Sequence, residues 1–192
     1  MTVRQVLESA WAETFSSKPQ LTAERSALVD HFLRVWESEL CQIRTEEDDN
    51  TSLDWASDKQ NHPAFGRLSF GTQRLLLLLR AIIKQPDIII LDEAFSGLPT
   101  AVRDKALGWL EEGDSSLTNQ TNDQSVKFPG LTQDQAIVVV SHVREEVPNC
   151  INEYIRLPSE EEALEDGKTV LMGRSDHGEI KTAEGWNRVW GL

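Results

Sequence analysis

Three short segments of the 192-residue chain carry residues that could act together on an anion. The first, Leu68-Ser69-Phe70-Gly71-Thr72-Gln73, stands just before a strongly apolar stretch. A serine and a glycine at a helix N-terminus can present a hydroxyl and backbone N–H groups to a negative charge, and the helix dipole assists. The plainer alternative is an ordinary serine N-cap. The second, Ile88 to Glu93, ends an apolar run with two adjacent carboxylates. Ligands of α/β sheets gather at such strand ends. Asp92 could hold Mg²⁺ through water, and Glu93 could orient or deprotonate an attacking water; the alternative is a strand that simply ends in acids. The third, Val138 to His142, places a histidine just past another apolar run. Such an imidazole can donate a hydrogen bond to a phosphate oxygen, or it can be a structural residue.

These segments need elements to hold them. Leu75 to Ile83 is apolar all round and reads as a buried helix, which Pro86 breaks. Ile88-Ile89-Ile90-Leu91 reads as a strand buried on both faces of a parallel sheet. Val102 to Leu110 reads as a short helix, and Ala136 to Val140 as a second buried strand. Strand, helix, strand in this order is a βαβ unit. Between them, Glu111 to Gln135 is dominated by polar residues and reads as a long surface loop.

The first third of the chain is helical by pattern. Thr2-Val3-Arg4-Gln5 fits a capping box, followed by an apolar stripe of Val3, Val6, Leu7 and Trp11. Thr22 is the candidate cap of a second helix carrying Leu28, Phe32, Val35, Trp36 and Leu40. Residues 46–63 are acidic and polar and read as a solvated loop. Towards the end, Glu153 to Leu157 and Thr169 to Met172 suit short strands around an acidic stretch, and Trp186 and Trp190 suit a packing pair on a short helix.

Composition narrows the function further. The net charge is −13, so the chain as a whole is repelled by phosphate backbones, and no nucleic-acid partner is expected. The longest apolar run, Leu75 to Leu79, falls far short of the ~18 residues of a membrane span. The N-terminal residues lack a signal peptide's apolar segment, and Glu8 and Glu13 come early for a transit peptide. Cys41 and Cys150 are too few for a disulfide framework, and the four histidines are scattered, so a zinc site is not expected. The cytosol is the expected compartment, with the mitochondrial matrix as the alternative.

In order and spacing the motifs resemble those of the ATP-binding cassette (ABC) ATPases. Leu68 to Gln73 resembles the signature Leu-Ser-Gly-Gly-Gln, and Arg80-Ala81 the pair that closes the signature helix. Ile88 to Glu93 resembles the Walker B strand with its glutamate, Ser96-Gly97-Leu98 the start of the D-loop, and His142 the switch histidine. The step of 23 residues from Ser69 to Asp92 is similar to the family's. The resemblance extends to Thr2 to Pro19, as the start of the helical subdomain, and to Tyr154 to Gly173, as the hairpin after the switch strand.

Three departures stand out. Phe70 occupies the signature's first glycine, Thr72 its glutamine, and Pro99 the D-loop aspartate. No Gly-x-x-x-x-Gly-Lys-[Ser/Thr] P-loop occurs in the sequence. Gly167-Lys168-Thr169 has Glu162 where the first glycine belongs, and Asp166-Gly167 reads as a hairpin turn.

The resemblance implies an α/β, P-loop NTPase-like fold: a partial parallel sheet with a helical subdomain, the N-terminal P-loop half missing. The implied division is a helical subdomain over 1–85, a partial core sheet over 86–175 and a tail over 176–192. It implies ATP and Mg²⁺ as cofactors and ATP hydrolysis in a complete cassette. Glu93 would act on water, Asp92 would hold the metal, and His142 would contact the γ-phosphate. Ser69 and Gly71 would touch the γ-phosphate bound by an opposite cassette. The implied partners are a second ABC cassette or the missing N-terminal half, with a membrane partner through the helical subdomain. The isolated chain is expected to be inactive. The alternative is a genuine short, non-catalytic protein that binds another cassette through its signature helix.

Overall fold

The computed structural model describes residues 1–14, 17–41, 63–117, 126–158, 170–176 and 178–190. The architecture is mixed helix and sheet. It divides into two compact units, residues 1–138 and 139–192. The acidic stretch over 46–62 and the Asp166-Gly167 turn lie outside the described residues.

The first unit is built around helix α4 (Phe70–Ile82). Helix α1 (Val3–Glu8) starts with the complete Thr2–Gln5 capping box and buries Val3, Val6 and Leu7. It packs on α4 and on α2 (Ala23–Val35), whose cap is Thr22, and α3 (Glu37–Leu40) follows. The guanidinium of Arg4, almost wholly buried, is neutralised by Asp30 of α2 and by Glu8 at 3.5 Å. Arg80 Nε of α4 donates to Ser9 Oγ at 2.8 Å, which ties the end of α1 to the central helix. Along α4, Leu75, Leu76, Leu78, Leu79 and Ile82 are buried, but Leu77 is 48% exposed. The helix is therefore not apolar-buried all round: one stripe of it faces outward. It ends where Gln85 takes a positive φ of 49° ahead of Pro86.

Strand β1 (Ile88–Asp92) buries Ile89 and Leu91 on the side where it meets α4. Strand β2 (Ala136–Val140) is its neighbour, and Ala136 N–H donates to Asp87 O at 2.8 Å. That bond sets the start of β2 beside the start of β1. The expectation of burial on both faces is corrected here. Ile88 and Ile90 are 63% and 69% exposed, and Val138 is 50% exposed. Helix α4 packs on β1, and Ile88, Ile90 and Val138 leave the other side of the strands open.

Helix α5 (Thr100–Glu112) carries Trp109 into an aromatic cluster with Phe32, Trp36 and Phe128. The ring centroids lie 4.4–5.4 Å apart. The helix stops at Gly113, whose φ is +60° and where a Cβ would fall 2.0 Å from Phe128 O. Asp114 then accepts from Trp109 Nε1 at 3.1 Å and from the Phe128 N–H at 2.9 Å, and it pairs with His31 Nε2 at 2.9 Å. Phe128, in the stretch read as polar surface loop, is thus a core residue.

In the second unit, β3 (Glu153–Arg156) and β4 (Leu171–Arg174) form an antiparallel hairpin with Glu153 opposite Arg174 and Ile155 opposite Met172. Glu153 and Arg174 form an ion pair at 2.7 Å. Helix α6 (Ala183–Trp190) carries Trp186 and Trp190 with ring centroids 5.9 Å apart. Glu179, in the turn before α6, accepts from Ser175 Oγ at 2.7 Å and from Asp176 N–H at 3.1 Å, and it pairs with Arg188 at 2.8 Å.

Candidate functional site

The N-terminal turn of α4 is closed by its own side chains. Ser69 Oγ accepts the Thr72 N–H at 3.2 Å and lies 2.8 Å from Thr72 Oγ1. Gln73 Nε2 donates to Leu68 O at 2.8 Å. Thr72 therefore locks Ser69 as an N-cap and leaves its oxygen at the mouth of the helix dipole. Phe70 is 64% exposed, and its ring lies over the Arg74 guanidinium at 4.7 Å.

This turn packs on the segment that follows β1. A Cβ on Gly71 would stand 2.8 Å from Gly97 O, so only a glycine allows the two backbones to approach this closely. Gly97 itself has φ +79° and lies against the Phe70 ring. A pocket of about 340 Å³ opens at this junction, walled by Ser69, Phe70, Gly71, Leu98, Pro99 and Val102.

Glu93 sits just past the end of β1 with φ +48°, a left-handed conformation that is uncommon for a residue with a side chain. Its carbonyl accepts from the Arg74 guanidinium and from Ser96 N–H at 3.2 Å. Buried Leu91 and Phe95 flank it on the chain and fix the loop at both sides. Asp92 is exposed, and by strand alternation it shares the open face with Ile88 and Ile90.

Ser69, Gly71 and Glu93 are therefore assembled within one unit, Asp92 stands at the edge of that assembly, and His142 belongs to the second unit. There His142 is exposed in the bend after β2. Ser141 Oγ accepts the Val143 N–H at 3.1 Å and donates to the buried Glu146 carboxylate at 3.0 Å, which shapes the turn around it. The residue that sequence reasoning missed is Arg74. Its i, i+4 spacing from Phe70 was the available signal for an aromatic–cation pair; its bond to a backbone carbonyl had none.

Among the described residues no group of three or more His, Cys, Asp or Glu side chains could hold a metal ion. The chemistry of the donors suits Mg²⁺ only in company. This ion keeps several waters and rests on one or two carboxylates plus the phosphates of a nucleotide, a demand that the exposed Asp92 carboxylate does not meet by itself. Among the described residues no helix is long and apolar enough to cross a membrane.

Comparison with known proteins matches residues 5–96 to the ABC transporter family model. An uncharacterized ABC transporter ATP-binding protein of Schizosaccharomyces pombe is 30% identical over 167 residues, 87% of this chain and 25% of that protein. A similarly described protein of Saccharomyces cerevisiae is 38% identical over 95 residues, 50% of this chain and 14% of its own length. A sulfate/thiosulfate import ATP-binding protein of Bradyrhizobium diazoefficiens is 34% identical over 95 residues, 50% of this chain and 25% of that protein. The chain thus spans a quarter or less of the length of these relatives.

Proposed function

We propose that this chain, an ABC ATPase nucleotide-binding-domain sequence by its family match and its relatives, forms the signature-to-switch portion of an ATP-hydrolysing cassette. The observation that carries the reading is the junction of the α4 turn with the segment after β1. Gly71 lies against Gly97, and Arg74 holds the Glu93 carbonyl. An anion-facing turn and a carboxylate at a strand end are thereby joined in one unit.

In this reading Ser69 and Gly71 face the γ-phosphate of ATP held by an opposite cassette. Asp92 would hold Mg²⁺ together with the nucleotide's phosphates, and the ion would supply charge neutralisation there. Glu93 orients the attacking water and takes its proton. His142 donates a hydrogen bond to the γ-phosphate. Catalysis of this kind is mostly positioning and electrostatic stabilisation.

The sequence has no P-loop. The backbone N–H groups and lysine that cradle the phosphates come, in this reading, from a further segment. The uncovered face bearing Ile88, Ile90 and Val138 is where that segment packs, which also brings it beside Asp92. Residues 1–85 serve as the helical subdomain, where a membrane subunit would dock, and residues 86–175 as part of the core sheet, with 176–192 as a tail. A second cassette completes the ATP site, on the cytosolic side.

The test is hydrolysis and binding in a cassette that carries this chain. Glu93→Gln is expected to slow turnover about 10²–10⁴-fold while ATP stays bound, and His142→Ala to slow turnover more than it weakens binding. The 192-residue chain alone is expected to bind ATP negligibly. Unchanged hydrolysis in Glu93→Gln, or tight ATP binding by the chain alone, overturns the reading.

A further inference from the structure

Glu93 is a non-glycine residue in the left-handed region, with φ +48°. Residues persist there only where their surroundings hold them, and such positions cluster at functional sites. A side chain of α4 reaches Glu93 from outside its own loop: the Arg74 guanidinium donates to the Glu93 carbonyl. Arg74 is held in turn. The ring of Phe70, one helical turn earlier, lies over its guanidinium at 4.7 Å. The same ring packs on Gly97, where an added Cβ would lie 3.4 Å from it. Gly97, Phe70, Arg74 and the Glu93 carbonyl thus form a continuous set of contacts between the anion-facing turn and the backbone of the carboxylate.

We propose that Arg74 is a positioning residue for Glu93 and that Phe70 holds Arg74 in place. The inference rests on the function proposed above. The planar guanidinium suits both tasks: its edge donates to the carbonyl while its face lies against the ring. An ammonium cannot do both with the same geometry. Because the ring of Phe70 borders Ser69 and Gly71, an anion arriving at that turn presses on the contact that sets the Glu93 peptide. The state of the signature turn is thereby communicated to the carboxylate next to it. Phe70 is then not merely a lost glycine but the residue that makes the link.

The experiment is steady-state hydrolysis by the assembled ATPase carrying this chain, with Glu93→Gln as reference and thermal unfolding measured in parallel. Arg74→Ala is expected to lower kcat about 10–100-fold, the scale of a small misplacement of a catalytic group, with KM changed less than about threefold. Arg74→Lys should recover only part of the rate. Added guanidinium at low concentration should partly rescue Arg74→Ala but not Glu93→Gln. Phe70→Leu keeps apolar packing on Gly97 and removes the ring face; it is expected to lower kcat about 3–10-fold, and Phe70→Tyr to restore it. Should Arg74→Ala fail to fold, the Phe70 pair decides alone. Wild-type turnover in Phe70→Leu or Arg74→Ala, with Glu93→Gln inactive, overturns the positioning role and leaves the Glu93 reading intact. Loss of KM and thermal stability in step with kcat also overturns it, since that marks a structural prop. Wild-type turnover in Glu93→Gln overturns the functional reading itself.

Discussion

The uncovered face of the β1–β2 pair is testable by replacing Ile88, Ile90 and Val138 together with threonine. Fully burying an Ile or Val side chain is worth about 1.5–3 kcal/mol. The three side chains are 63%, 69% and 50% exposed, so about half to two-thirds of that gain is uncollected at each, or ~3–6 kcal/mol together. That is a large share of the ~5–15 kcal/mol by which a domain is stable. Threonine keeps β-branching and strand propensity. In the chain alone the triple variant forfeits at most the share already buried, a third to a half at each site or ~2–3.5 kcal/mol together, while lowering dye binding and light scattering. Binding to a P-loop-bearing segment should instead weaken by ~10²–10⁴-fold, at 1.4 kcal/mol per factor of ten. Urea unfolding of the chain and titration calorimetry with the segment measure the two arms. Destabilisation of the chain alone by more than about 5 kcal/mol, the scale of three fully buried side chains, would show that the face is already covered. Unchanged association would show that it is not where the segment docks.

Two further outcomes follow from the packing and the charges. Phe128→Ala removes a buried ring touching Phe32 and Trp109, so it should destabilise the first unit by about 3–5 kcal/mol, read by denaturant unfolding followed through tryptophan fluorescence. The Glu179 carboxyl is held below its usual pKa of 4.5, first by the Ser175 hydroxyl, then by the Asp176 N–H and by Arg188. A depressed folded pKa gives stability that is present above the unfolded value and lost as pH falls through the folded one. The turn before α6 should therefore loosen only below about pH 4.5, and Glu179→Gln should remove that acid transition in an NMR titration; a transition unchanged in the variant would assign it to another group.

Much of the chain's local order is written in its sequence. Thr2 with Gln5, Thr22 and Ser69 each cap a helix as their residue types require, because a capping bond spans only three residues and needs no distant partner. The two apolar runs over 88–91 and 136–140 are strands for a similarly local reason: β-branched residues between turn signals leave few other choices. The order and spacing of the motifs point to the ABC family, and the family match over 5–96 agrees.

The sequence misled where the answer depended on what lies opposite. An apolar run does not say whether its second face is covered, so Ile88 and Ile90 read as buried and are exposed. A polar stretch does not announce that its single aromatic has partners, so Phe128 read as loop and lies in the core. The contacts that build the candidate site are of the same kind. Gly71 against Gly97 and Arg74 on the Glu93 carbonyl join residues 26 and 19 positions apart. One partner in each contact is a backbone oxygen, which every residue carries and no residue type advertises. The sequence by itself determined which segments cap and form these helices and strands, and it offered Ser69, Gly71, Asp92, Glu93 and His142 as candidates. Only the tertiary structure decided which backbone carbonyls those side chains would meet, because that depends on how α4 is laid across the end of β1.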